Sequence, residues 1–236
     1  MRTQAGQITN KLRRLGNSVH AAHAQRYFKT GKGEYGEGDR FLGIRVPALR
    51  KCAREYREVP TGDVFKLLES PLHEARLLAL FILVGQYSSA KTNTKREAIY
   101  NGYLGHTSYI NNWDLVDCSA GRIVGAHLFD RDRRPIYRLV RSKSLWERRI
   151  GVMATSCFIA KGDFSDTLAV ARLLLHDRED LIHKAVGWML REVGNRDRKT
   201  EEKFLEKHAG EMPRTMLRYA IEKFPETRRL AYLRGK

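Results

Sequence analysis

Residues 108–121 read SYINNWDLVDCSAG, and within them Trp113 and Asp117 stand four apart. Residues at that spacing share a helix face, whereas Asp114, next to Trp113, points elsewhere. An indole and a carboxylate facing one space suit something flat and positively charged, because an aromatic face attracts cations and a carboxylate stabilises them. The alternative is a core tryptophan beside a solvated acid. Asp114 itself reads as an acid favoured by the dipole at a helix N-terminus.

These residues need elements to hold them, and the chain reads as helical throughout. Apolar residues recur at helical spacing, and no segment sustains the alternation of a half-buried strand. The pattern predicts helices over 5–15, 18–29, 46–58, 61–69, 72–87, 91–104, 111–126, 132–141, 144–160, 164–175, 179–193, 198–208 and 213–223. Pro47 and Pro71 fall near helix starts, and Ser144 followed by Glu147 forms a capping-box signature. The exception to short connections is TGKGEYGEGD (30–39), a glycine-rich segment that reads as a flexible loop.

Helices joined by short turns suggest pairs, and the second helices overlay on one another. With Arg76, Trp113, Arg149, Lys184 and Arg218 in one slot, the steps are 37, 36, 35 and 34 residues, in the range of two-helix solenoid units. One turn later stand Leu80, Asp117, Met153, Trp188 and Glu222. The expected architecture is an all-α solenoid of HEAT-like two-helix repeats, a single domain over 1–236 with a curved, basic concave surface. Trp113 and Asp117 interrupt its row of cations. The bland counterpart is a periodic solvated face without function.

Composition points the same way. The 236 residues hold 44 Lys and Arg against 27 Asp and Glu, a formal net charge of +17 that calls for a polyanionic partner. Cys52, Cys118 and Cys157 are widely spaced inside apolar patterns and read as buried free thiols, not disulfides or zinc ligands. His20 and His23 lack companions for a metal site. LLALFILV (77–84) is too short to cross a bilayer, and the basic N-terminus lacks the apolar core of a signal peptide.

Grouping Trp113, Asp117, Arg149 and Trp188 gives two indoles, one carboxylate and a guanidinium able to grip a phosphate without reading sequence. Cleaving an ordinary glycosidic bond takes a general acid and a second carboxylate. An N3- or N7-alkylated purine already carries positive charge and leaves neutral, so one aspartate suffices to stabilise the sugar cation and position water. No lysine sits in an apolar pattern that would prepare it as a Schiff-base nucleophile.

At these residues the chain resembles the AlkD-type alkylpurine DNA glycosylases, the HEAT-like DNA alkylation repair family of bacteria. The matching strings are NNWDLVD, LWERRIGV and KAVGWMLRE, with RYF around Tyr27, FLGIRVPALRK (41–51) and EARLLALFILVGQY (74–87). The likeness runs from about residue 20 to the C-terminal helix. It implies that Asp117 is the catalytic carboxylate, that Trp113 and Trp188 hold the lesion-bearing nucleotide, and that Arg149 contacts the DNA backbone beside it. It also implies excision of N3- and N7-alkylpurines from double-stranded DNA without a deep base pocket, leaving an abasic site, with no metal or cofactor. A monomer in the bacterial cytosol is the corresponding expectation.

Two departures stand out. The 30–39 loop is longer than the family leads one to expect, and HTSYINN lacks a second Trp beside Trp113. Bland readings accompany the others: Trp188 as core, Gly187 as helix packing or backbone approach, and Tyr27 as a packing residue or a DNA contact. Lys184 and Arg191 are further backbone contacts, and Arg148 pairs with an acid or solvent. The alternative function is a non-catalytic HEAT-like scaffold for branched or structured nucleic acid. Such a scaffold needs neither Asp117 nor both tryptophans.

Overall fold

The computed structural model describes residues 4–235. Among them the fold is all-α. An isolated bridge at Arg40 and Leu72 adds an extended contact, with the His73 N–H donating to the Arg40 carbonyl at 2.9 Å. The chain divides into two compact units, one ending at Ser119 and the other beginning at Ala120.

The first unit contains α1 (Gln4–Leu15), α2 (Ser18–Tyr27), α3 (Val46–Glu55), α4 (Thr61–Leu68), α5 (His73–Ser89), α6 (Asn93–Gly105), a 3-10 turn (Thr107–Tyr109) and α7 (Trp113–Asp117). Its centre is α5, which the apolar run at 77–84 makes hydrophobic on nearly every side; Leu78, Leu80 and Leu83 are fully buried. A helix apolar all round must lie inside the fold. Accordingly α3 and α4 pack on α5, and α1 lays Ile8 and Leu12 toward α4. No helix of the described residues is long and apolar enough to cross a membrane.

Between α2 and α3 the chain runs through successive turns at 30–39, then extends through 41–45. Glu74, itself buried, holds this extension by accepting from the backbone N–H groups of Leu42, Gly43 and Ile44 at 2.8, 2.7 and 3.2 Å. Gly43 adopts φ +77°, and a Cβ there would stand 2.2 Å from the Asn17 carbonyl oxygen. Only glycine satisfies both conditions.

The second unit opens with a π-helical turn (Gly121–Gly125) and α8 (Ala126–Leu128). It continues through α9 (Arg134–Leu139), α10 (Leu145–Ala154), α11 (Ser156–Ala160), α12 (Ser165–Leu173), α13 (Asp180–Gly194), α14 (Arg198–His208), α15 (Arg214–Ala220), a second 3-10 turn (Ile221–Lys223) and α16 (Glu226–Arg234). Its hub is α13, an amphipathic helix that buries Ile182, Val186, Leu190 and Val193 and packs on α10, α12, α14 and α15.

Three sequence expectations need correction here. The helix expected over 111–126 ends at Asp117, and after a turn the chain resumes as π-helix. The helix expected over 144–160 divides at Thr155, whose hydroxyl donates back to the Val152 carbonyl at 2.7 Å while Ser156 does the same to Met153 at 2.7 Å. Such back-bonding competes with the helix ladder at this break. No helix was expected over Glu226–Arg234, where α16 forms without burying any residue. The three cysteines are free thiols, Cys52 buried and the other two half-buried.

Candidate functional site

The start of α7 is set by Asn112, which is fully buried and uses both ends of its carboxamide. Its Oδ1 accepts from the Trp113 backbone N–H at 2.8 Å, capping the helix, and its Nδ2 donates to Asp39 Oδ2 at 3.3 Å. The five-residue helix then carries Trp113 and Asp117 one turn apart, both half-exposed, while Leu115 and Val116 turn into the core. Below it Tyr103, buried completely, bonds to the Ser119 hydroxyl at 2.9 Å, and that hydroxyl donates to the Leu115 carbonyl at 2.6 Å. Burial drives the Tyr103 phenol far above its usual range, so it stays a neutral donor.

Trp113 belongs to a cluster of rings in which Phe28 also meets His73 directly, tilted, at 5.0 Å. Its indole stacks on Phe28 at 5.3 Å between centroids, Phe28 stacks on Phe41 at 4.9 Å, and Phe41 stacks on the His73 imidazole at 4.3 Å. Tyr27 meets Trp113 edge-on at 6.1 Å and is 58% exposed, so it carries the aromatic surface out to solvent. Pairs of this kind each add about 0.5–1.5 kcal/mol beyond the area they bury.

The inner side of the cluster is charged. His73 is 1% exposed, with Nδ1 donating to Asp39 Oδ2 at 2.9 Å and Nε2 donating to Asp114 Oδ2 at 2.8 Å. Burial pulls its pKa down, but the hydrogen bonds and charges of Asp114 and Asp39 outweigh that and push it up to about 9. At neutral pH the ring is therefore an imidazolium held by two carboxylates. Burial raises Asp39, yet His73 and the Arg76 guanidinium, which also bonds to it, hold its carboxyl below the ordinary range. Asp114 Oδ1 meanwhile accepts from the Leu115 N–H at 2.9 Å. It is a first-turn acid of α7, as read from sequence, and also a partner of His73.

In the second unit Lys184, Trp188 and Arg191 share α13, with Trp188 half-exposed. Lys184 pairs with Asp180 one turn earlier at 2.7 Å, and Arg191 pairs with Glu222. Arg149 on α10 is 4% exposed and donates through Nη1 to the Leu181 carbonyl at 2.5 Å. Arg148 grips Asp177 with Nε and Nη2 at 2.7 and 3.3 Å, the acid pairing its position suggested. Gly187 is where α13 approaches α15: a Cβ there would stand 2.4 Å from the Met216 carbonyl oxygen and 2.6 Å from Tyr219 Cβ.

Of the residues singled out in sequence, Tyr27, Trp113 and Asp117 lie in the first unit, and the structure brings the first two into contact. Arg149, Lys184, Trp188 and Arg191 lie in the second. The solvent-facing row of cations does not hold as drawn. Arg76 is 5% exposed, committed to Asp39 and to the Ser70 carbonyl at 3.2 Å, and Arg149 is buried as well. Sequence reasoning did not find Asp39, His73 or Asn112. Asn112 carried the only local signal, a capping residue directly before a helix.

A profile described as DNA alkylation repair enzyme matches residues 8–224, nearly the whole chain. The chain belongs to that family. Membership makes it an enzyme concerned with the repair of alkylated DNA, with DNA as its partner. A solved structure described as a predicted DNA alkylation repair enzyme from Enterococcus faecalis is similar to it, with a TM-score of 0.69. The two share 16% identity over 89% of this chain and 97% of that one, a likeness of fold. A search of the curated proteins finds no match.

Proposed function

We propose that the protein is a monofunctional DNA glycosylase that hydrolyses the N-glycosidic bond of cationic N3- and N7-alkylpurines in double-stranded DNA. The observation that carries this reading is the single turn of α7: a half-exposed indole and a half-exposed carboxylate four residues apart, started by a buried cap. The indole offers its π-face to the positively charged alkylpurine. The Asp117 carboxylate stabilises the oxocarbenium-like sugar as the C1′–N bond breaks and positions the water that attacks C1′. The electron pair of that bond passes to the alkylpurine, cancels its charge, and lets it leave neutral without an acid. Trp188 supplies the second aromatic contact, a role carried over from the family resemblance, and Tyr27, Lys184 and Arg191 supply contacts to the backbone; Arg149, to which the resemblance gives such a contact, is buried on the Leu181 carbonyl.

The reading predicts selection by lesion charge. Duplexes carrying N3-methyladenine or N7-methylguanine should lose the free base, while matched duplexes carrying uracil or hypoxanthine, which are neutral, should lose none above the rate without protein. Release of the neutral bases at comparable rates contradicts an active site that relies on the lesion's own charge. Tight binding to all four duplexes with no release from any leaves a non-catalytic scaffold as the function.

A further inference from the structure

We infer that His73 is a positioning residue for this site: held between Asp39 and Asp114, it fixes both the start of α7 and the ring cluster that orients Trp113. The inference rests on the reading of Trp113 and Asp117 as the reacting turn.

Three separate segments meet at this imidazole. It begins α5, the most buried helix of its unit; Asp39 ends the glycine-rich turns; Asp114 lies in the first turn of α7. A five-residue helix has too few internal hydrogen bonds to hold itself in place. Its orientation therefore comes from Asn112, which caps it and reaches Asp39, and from Asp114, which reaches His73. Both lead back to the same charged centre. The ring's flat face does a second job. Phe41 stacks on it and Phe28 meets it directly, tilted, at 5.0 Å; Trp113 stacks on Phe28, so the indole plane rests on a ring packed against a side chain anchored in the core.

Between two carboxylates, an imidazolium meets both demands. It provides two N–H donors pointing in opposite directions, together with a flat cationic face for the phenyl ring. The charged groups around it are few: Asp39 and Arg76 on one side, Asp114 on the other, and Glu74 beside it, whose oxygens are taken by the 42–44 backbone. Across a cavity of about 280 Å³ that the His73 ring also lines stand His20, His23 and Arg45.

The test uses the full chain and has three readouts. In wild-type protein labelled with ¹⁵N-histidine, one ring should show two downfield, exchange-protected N–H protons at pH 7. A His73 that is neutral or freely exchanging there overturns the inference without any variant. Next, His73→Gln is compared with Asp114→Asn. A glutamine donates to only one of the two carboxylates and has no ring for Phe41. An asparagine at 114 lets a neutral His73 keep both contacts, its Nε2 accepting from the carboxamide. Single-turnover base release should fall at least about tenfold in His73→Gln, as expected when a reacting group is displaced by a fraction of an ångström to an ångström. Asp114→Asn, which keeps a hydrogen bond to the ring but loses the charge pair, should fall by less than His73→Gln, and both variants should bind undamaged duplex within about twofold of wild type. Third, in protein keeping Trp113 alone (Trp146→Phe with Trp188→Phe), His73→Gln should increase acrylamide quenching of the indole more than Asp114→Asn does. A folded His73→Gln with unchanged quenching and unchanged release overturns the inference. If the wild type releases no base but spectra and quenching follow expectation, the reaction assignment fails and the positioning role stands.

Discussion

Asn112 shows how much one side chain decides here. Its carboxamide caps the Trp113 N–H and ties that cap to Asp39, so the indole and the carboxylate four residues on emerge from a defined point. The pairing of Trp113 with Asp117 was legible because helix geometry converts a spacing of four into a shared face. The pairing of Asp114 with His73 was not, because 41 residues separate them and nothing local marks either as the other's partner. Arg76 misled for the same reason: its place in a periodic slot says nothing about the Asp39 that buries it. Outside the site, Glu201 carries a testable charge. It is 1% exposed, its Oε1 has no hydrogen-bond partner among the described residues, and burial pushes its pKa up to about 8 against the pull of Arg198 and Arg191. The unfolded chain releases this proton near the ordinary value of 4.5, the folded chain only near 8. Between those values the unfolded state binds fewer protons, so stability falls as pH rises. In thermal melts, Glu201→Gln should therefore gain on the wild type from pH 4.5 to 8 and hold a constant lead above; a lead that does not change with pH contradicts a buried, reluctant acid.

At the scale of elements, the long helices were legible and their interruptions were not. Helix α13 lies within a residue of its expected span because its apolar stripe keeps period for four turns. The π-turn at Gly121–Gly125 keeps the same apolar pattern as an α-helix, so only packing reveals it: a Cβ on Gly121 would meet Ser156 Oγ at 2.2 Å, and one on Gly125 the Ala154 carbonyl oxygen at 2.1 Å. Helix α16 shows the opposite failure, a helix with no buried face to leave a signal. Gly187 gives the element-scale prediction. Replacing it with alanine puts a methyl group against the Met216 carbonyl and Tyr219 Cβ, so α13 and α15 must separate. Overpacking of this kind costs roughly 1–3 kcal/mol. Urea unfolding should show that loss, and a neutral Gly187→Ala would mean that the helix pair is looser than drawn.

For the whole molecule, a formal charge of +17 indicated a polyanionic partner, and family membership makes that partner DNA. Charge alone did not say which surface meets it, since several of the cations counted for that purpose are spent inside the protein on Asp39, Asp177 and backbone carbonyls. Placement of the α7 turn, which we propose to be the reacting one, is where residue, element and molecule meet, and Asp117 is its sharpest test. Release of free N7-methylguanine from methylated duplex DNA should be measured for the wild type and for Asp117→Asn, alongside the affinity of each for the same duplex. The account predicts that the variant binds as tightly as the wild type and releases base at least about a hundredfold more slowly, the scale of loss when a charge stabilising the transition state is removed. A variant that still releases base at the wild-type rate would contradict it.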